Sequence, residues 1–215
     1  MDSLELDGED VEVVDNFVFL GAKITADGRT EGELRRRIAM GRSAMVRLTK
    51  IWKDRGITRE TKKRLVYSLV FPIVLYGAET WKMLKADWKR IDDFELWCWR
   101  RMLRIPWTAR KTNQWVLQRV RPANPLQVTV VTSALRYLGH VNRKDGFLDK
   151  DVMFGRADGR RRRGRPRSGW LDGLRGARGW TLSRLTSKQE TDAGGERSYT
   201  TSPRVVRDWT APGNR

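Results

Sequence analysis

The stretch from Asp93 to Arg110 sets three tryptophans and four arginines among phenylalanine, leucine and methionine. Read at helical spacing, Trp88, Ile91, Glu95, Cys98 and Met102 share one side. Phe94, Leu96, Trp97, Trp99 and Leu103 widen the apolar arc until Pro106 ends the run. A helix apolar around so much of its circumference has to be surrounded by other elements, so this one is expected at the centre of the fold. Arg100, Arg101 and Arg104 fall in its last turns, where cations complement the helix dipole. The plain reading is a core helix with solubilising arginines; the sharper one adds contact with a phosphate.

The elements on either side can be read in order. Leu4 to Leu6 and Val11 to Val14 alternate around the turn signal Asp7-Gly8, predicting a short β-hairpin. Phe17 to Ile24 predicts a third extended run closed by Asp27-Gly28. So few short strands do not fold alone, so they are expected to form the edge of something larger. Thr30-Glu31-Gly32-Glu33 fits a capping box, followed at helical spacing by Leu34, Ile38, Met45, Leu48 and Trp52, with Gly56 as the stop. Arg35, Arg36, Arg42 and Lys50 occupy the opposite face. Thr58 can cap a second helix with Leu65, Val66, Leu69, Val70 and Ile73 inside and Lys62 and Lys63 in its first turns. Pro72 should kink this helix and Gly77 should end it. With the helix from Ala86 to Ile105 this makes three antiparallel helices. Thr112 can cap a short helix through Val120, and after Pro122 and Pro125 another apolar helix is expected from Leu126 to about Val141. Its Val130, Ala134, Tyr137, Leu138 and Val141 should pack on the tryptophan-rich helix.

Charge is what points to a partner. The 215 residues carry a formal net charge of +18, and a chain this basic is matched to a polyanion. The distribution is uneven. Residues 1 to 16 hold seven acids and no base, residues 29 to 64 thirteen bases and four acids, and residues 156 to 178 nine bases and two acids. Two separated basic blocks predict two contact surfaces. Arg160 to Arg163, Gly164, Arg165, Pro166 and Arg167 make the second block dense, and Arg161, Arg162, Arg163, Arg165 and Arg167 are read first as sequence-independent phosphate contacts. The Arg163-Gly164-Arg165-Pro166 core of an AT-hook, which lays Arg-Gly-Arg in a narrow A·T minor groove, is the alternative. Trp107 and Trp115 flank a loop with Arg104, Arg110 and Lys111 and can stack on unpaired bases, although core packing is the commoner use of a tryptophan.

Other classes are excluded by what the chain lacks. One cysteine and one histidine provide neither a disulfide nor a thiolate-imidazole zinc site, so no metal or cofactor is expected. His140 is read as a packing or capping residue rather than a base. A mean hydropathy of −0.63 and the lack of an apolar run near the ~20 residues of a bilayer span predict neither membrane insertion nor secretion. A nuclear or cytoplasmic protein is expected. From 186 to 215 the chain is polar and rich in Gly, Ser, Thr and Pro, and disorder is expected there.

Several motifs carry a family resemblance. Phe94 to Arg101, Arg104 to Arg110, Phe19-Leu20-Gly21, Gly41-Arg42 with Ala44-Met45, Phe71-Pro72 with Leu75-Tyr76-Gly77, Tyr137 to His140, Gly159 to Pro166 and Trp170-Leu171-Asp172 occur in the order found in one group. The chain resembles, over roughly residues 4 to 185, the C-terminal part of LINE-type non-LTR retrotransposon endonuclease-reverse transcriptases of the RTE/BovB kind. The resemblance implies that Phe19, Leu20 and Gly21 match the primer-grip turn at the end of a polymerase palm. It also implies that the three antiparallel helices form a thumb, which lays Arg35, Arg36, Arg42, Lys62 and Lys63 along an A-like duplex through phosphates and 2′-hydroxyls.

The polymerase's metal-binding aspartates are missing from the sequence. No Tyr or Phe precedes an Asp-Asp pair as the hairpin of such a centre requires, and Asp92-Asp93 lies in the expected central helix, which would splay its carboxylates by about 100°. No catalytic residue is therefore assigned, and no small-molecule substrate is expected. The expected fold is mainly α: an end-of-palm β element over 1–28, a thumb-like helical bundle with connecting helices over 29–143, an Arg/Gly-rich irregular segment over 144–185 and the tail over 186–215. The expected function is non-catalytic binding of RNA, RNA·DNA hybrid or duplex DNA, in company with a full-length element-encoded reverse transcriptase where one is present. The alternatives are an AT-hook-like chromatin protein or a decayed copy without function.

Overall fold

The computed structural model describes residues 3–6, 9–143 and 169–175. It is mainly helical, with two antiparallel hairpins at its N-terminal end. Strands β1 (Ser3–Leu6) and β2 (Glu9–Glu12) pair with Ser3 opposite Glu12, around the two turn residues 7–8, which lie outside the described part. The single extended run expected from Phe17 to Ile24 is instead a second hairpin, β3 (Asn16–Phe19) and β4 (Ala22–Thr25), with Phe19 opposite Ala22. Its turn is Leu20-Gly21, with φ of +47° and +77°. Positive φ at both central residues is the turn that matches strand twist. Asn-Gly is its usual wording, and with Leu at the first position the strand pattern alone did not reveal the turn that the resemblance marked at Phe19 to Gly21.

Helix α1 (Glu31–Arg47) follows, but not on the capping box expected. The Thr30 hydroxyl donates to the Lys82 carbonyl at 2.9 Å, and Glu33 turns away to the Lys23 N–H and to two guanidiniums. The helix expected to reach Gly56 breaks at Leu48, and α2 (Thr49–Lys53) continues it to Trp52, whose indole N–H donates to the Met45 carbonyl at 2.8 Å. Thr58 caps α3 (Arg59–Leu65) as expected, accepting from the Thr61 N–H. Val66–Val70 then forms a π turn that leads into α4 (Phe71–Val74). Pro72 has no N–H for the carbonyl four residues back, and the wider turn takes up that mismatch instead of a sharp kink. The extra residue rotates the register, so Val66, Val70, Phe71 and Val74 are buried while Leu69, expected inside, is 46% exposed. Gly77 stops the helix at φ +71°.

The central helix is α5 (Lys85–Met102). Trp88, Ile91, Phe94, Glu95, Cys98, Trp99 and Met102 are all buried, as the spacing predicts. It ends three residues earlier than expected, because Arg104 takes the left-handed conformation (φ +56°) while Arg104 and Ile105 donate back to the Arg101 and Arg100 carbonyls. That is a Schellman stop without its usual glycine. Successive helices run antiparallel: Phe71 meets Phe94, Tyr67 meets Trp99, and Trp99 stands edge-on to Phe71 at 5.4 Å. Gly41 lets α1 approach this layer, since a Cβ there would lie 2.4 Å from Val74 Cγ2 and 2.9 Å from Phe94 Cζ.

Thr112 caps α6 (Asn113–Val120), and α7 (Leu126–Asn142) packs along α5 with Val130, Ala134, Leu138 and Val141 buried, as expected. Glu95 joins the two, accepting the Trp99 indole N–H at 3.1 Å and the Leu126 N–H at 2.7 Å. A buried carboxylate thus caps the start of α7 from another helix. Within the span expected to be irregular, Trp170–Arg175 forms a short helix, α8, that docks on the body. The Trp170 indole donates to the Glu79 carbonyl, its ring stands edge-on to Tyr137, and Gly173 lies so close to the Met83 backbone that a Cβ would come within 2.9 Å.

Candidate nucleic-acid interface

Between Leu34 and Lys53 the chain holds seven bases and no acid. Which of these cations are free is decided by acids elsewhere. Glu31 binds Arg35 at 2.5 Å and Arg90 at 2.7 Å, and Asp87 takes the other arm of Arg90 at 2.6 Å. Glu33, almost fully buried, receives Arg36 at 2.7 Å, Arg37 at 2.6 Å and the Lys23 N–H at 2.9 Å. Burial alone pushes the Glu33 carboxyl up, but these donors outweigh it and hold it at about 2. Arg36 and Arg37 also donate to the Gly21 carbonyl, and the Tyr76 hydroxyl donates to the Leu20 carbonyl. Arg35 and Arg36 are therefore partly neutralised, Arg36 as part of the clasp that fastens the β3–β4 turn to α1.

The same clasp involves the three residues expected to form a primer-grip turn. The backbone carbonyls of Leu20 and Gly21 are consumed internally, while the side chains of Phe19 and Leu20 are 55% and 77% exposed. Gly21 supplies the turn.

Arg42 is different. It is exposed, and its guanidinium carbon lies 5.6 Å from the Trp97 ring centroid. Arg101, one turn beyond Trp97 on α5, lies at the same 5.6 Å. Arg101 Nη2 donates to Thr49 Oγ1 at 3.2 Å, and its Nε is buried without a partner. The Phe94 ring backs the indole at 6.3 Å and 24°. Neither guanidinium forms an ion pair among the described residues. Lys50 and Lys53 lie further along on α2, both exposed, so the strip of cations continues past the α1–α2 junction.

Lys62 and Lys63 do not join that strip. Lys62 Nζ donates to the Trp52 carbonyl at 3.1 Å and to the Asp54 carbonyl, closing the end of α2. Lys63 pairs with Glu60 at 2.8 Å and reaches the Arg121 carbonyl at 3.4 Å. At the far end of α5, Arg100 Nη2 bridges the Lys111 carbonyl and Asn113 Oδ1, and Lys111 Nζ sits 5.3 Å from the Trp115 ring centroid. Trp115 is 39% exposed, so one face of its indole already carries a cation. Trp107 has its backbone in a 3-10 turn, and its side chain lies outside the described part. So do Arg161, Arg162, Arg163, Arg165 and Arg167.

Asp92 and Asp93 lie inside α5, and among the described residues no group of three or more His, Cys, Asp or Glu side chains could hold a metal ion. His140, expected to pack or cap, is exposed in the last turn of α7. No described helix is long and apolar enough to cross a membrane. The set missed in sequence was Trp97 with Thr49. The i, i+4 spacing of Trp97 and Arg101 was visible, but the arrival of Arg42 and Thr49 from α1 and α2 was not. No protein-family model, curated protein or solved structure matches the chain.

Proposed function

We propose that this chain is a nucleic-acid-binding module derived from the thumb and C-terminal region of a LINE-type non-LTR retrotransposon reverse transcriptase, and that by itself it is not a polymerase or nuclease. The ordered series of motifs supports the origin. So does the succession of a hairpin, three antiparallel helices and a further apolar helix. The function rests on one observation: after every ion pair is assigned, Arg42, Lys50 and Lys53 form a strip on α1–α2 with no carboxylate bound to it among the described residues. A phosphate backbone is the ligand that such a strip fits, with shape and charge rather than base sequence recognised.

The test is binding to a short RNA·DNA hybrid across a salt series. Log K is expected to fall by about 0.7 to 0.9 per phosphate contact against log salt. A constant that is flat with salt refutes the interface, and extension of a primer by the purified chain refutes the non-catalytic assignment.

A further inference from the structure

We infer that Arg42, Arg101 and Thr49, gathered around the Trp97 ring, form a seat for one backbone phosphate of the bound nucleic acid. This rests on the proposed function and says where on the helical body the strand is gripped.

The two guanidiniums come from different helices yet stand equally close to one indole. Arginine stacks on an aromatic face while leaving its in-plane N–H donors free, so both cations are held in place without their hydrogen-bonding capacity being used up. Their neighbours behave otherwise: Arg35, Arg36, Arg37 and Arg90 each have a carboxylate. Two cations without carboxylates around one ring leave positive charge uncompensated there, which an oxyanion reaching both neutralises. Arg101 is short of acceptors as well. Nη2 has only the Thr49 hydroxyl, while Nε is buried and is not among the donors that a bound phosphate meets. A phosphate presents several acceptor oxygens in different directions, which suits donors converging from two helices.

The helices that carry the seat are closely packed: Gly41 lies against Val74 and Phe94, and Phe94 backs Trp97. Little ordering of those helices is left for binding to cost, which favours affinity. Asp93, one turn before Trp97, is the nearest acid on this side of α5 by helical spacing, and it forms no ion pair among the described residues.

The experiment uses the full chain and a short RNA·DNA hybrid, comparing wild type, Arg42→Gln, Arg101→Gln, the double variant and Arg136→Gln. Arg136 is an exposed arginine on α7 and controls for net charge. Arg42→Gln is expected to weaken binding about tenfold, the usual loss for one hydrogen-bonded charge, and to lower the salt slope by about 1. Because both arginines hold one phosphate, the double variant should lose much less than the product of the two single losses. Should Arg101→Gln melt early, Arg42→Lys decides in its place, since it keeps the charge and loses the planar fork; weakening well beyond that of Arg136→Gln supports the seat. Equal effects of Arg42→Gln and Arg136→Gln overturn the seat while a steep wild-type salt slope leaves the proposed function standing. A flat wild-type slope overturns both.

Discussion

Replacing Glu33 with glutamine tests the clasp that joins the β3–β4 hairpin to the helices. The carboxylate is 3% exposed and is met by Arg36, Arg37 and the Lys23 N–H, and Arg37 itself is only 6% exposed. Glutamine keeps the shape and one acceptor but turns an amide toward two guanidiniums, leaving Arg37 buried without its counter-charge. Removing one member of a buried pair costs roughly 3 to 5 kcal/mol. The carboxyl's displacement from 4.5 to about 2 gives a comparable ~3 kcal/mol by linkage. Because its folded value lies below its unfolded one, this stabilisation is full above about 4.5 and is lost as pH falls toward about 2. Urea unfolding of wild type and Glu33→Gln should therefore show a gap of ~3 kcal/mol at neutral pH that closes across that acid window. Hydrogen exchange at Lys23 should accelerate in the variant even where the helices stay folded. A gap that is already absent at neutral pH, or that persists unchanged through the acid window, refutes the reasoning.

Three further outcomes are expected. Arg104→Gly should raise stability by about 1 kcal/mol in a thermal melt, because it relieves the left-handed strain at the end of α5; a loss would count against the Schellman assignment. Gly41→Ala should lower stability by about 1 to 3 kcal/mol through its overlap with Val74 and Phe94, measured by urea titration, and an unchanged midpoint would mean α1 can retreat freely. Burial, then the nearby Glu95, pushes the Cys98 thiol well above its usual range, so a thiol reagent should label it only as the chain unfolds; rapid labelling of the native protein would contradict the packing of α5.

Local signals were legible and long-range ones were not. The buried face of α5 follows from the spacing of Trp88, Ile91, Glu95, Cys98 and Met102, and the starts of α3 and α6 follow from Thr58 and Thr112, because side chains three or four residues apart decide both. The strand pattern missed the Leu20-Gly21 turn, which only the resemblance marked, because nothing local signals that a leucine will take positive φ. Leu69 was misplaced because apolar spacing assumes 3.6 residues per turn, and the π turn before Pro72 breaks that period. The candidate interface was half visible for a related reason. Arg35, Arg36 and Arg42 look alike in sequence, and only the positions of Glu31, Glu33 and Trp97 separate the paired cations from the unpaired one.

The docking of α8 bears on where a stable piece of this protein can be cut. A chain trimmed after α7 would keep every long helix, yet it would uncover the Tyr137 edge and the Met83 backbone and strip the Trp88 indole N–H of the Gly173 carbonyl at 3.4 Å. The folded body among the described residues therefore includes α8, and any piece cut to retain it has to carry residues 144–168 as well.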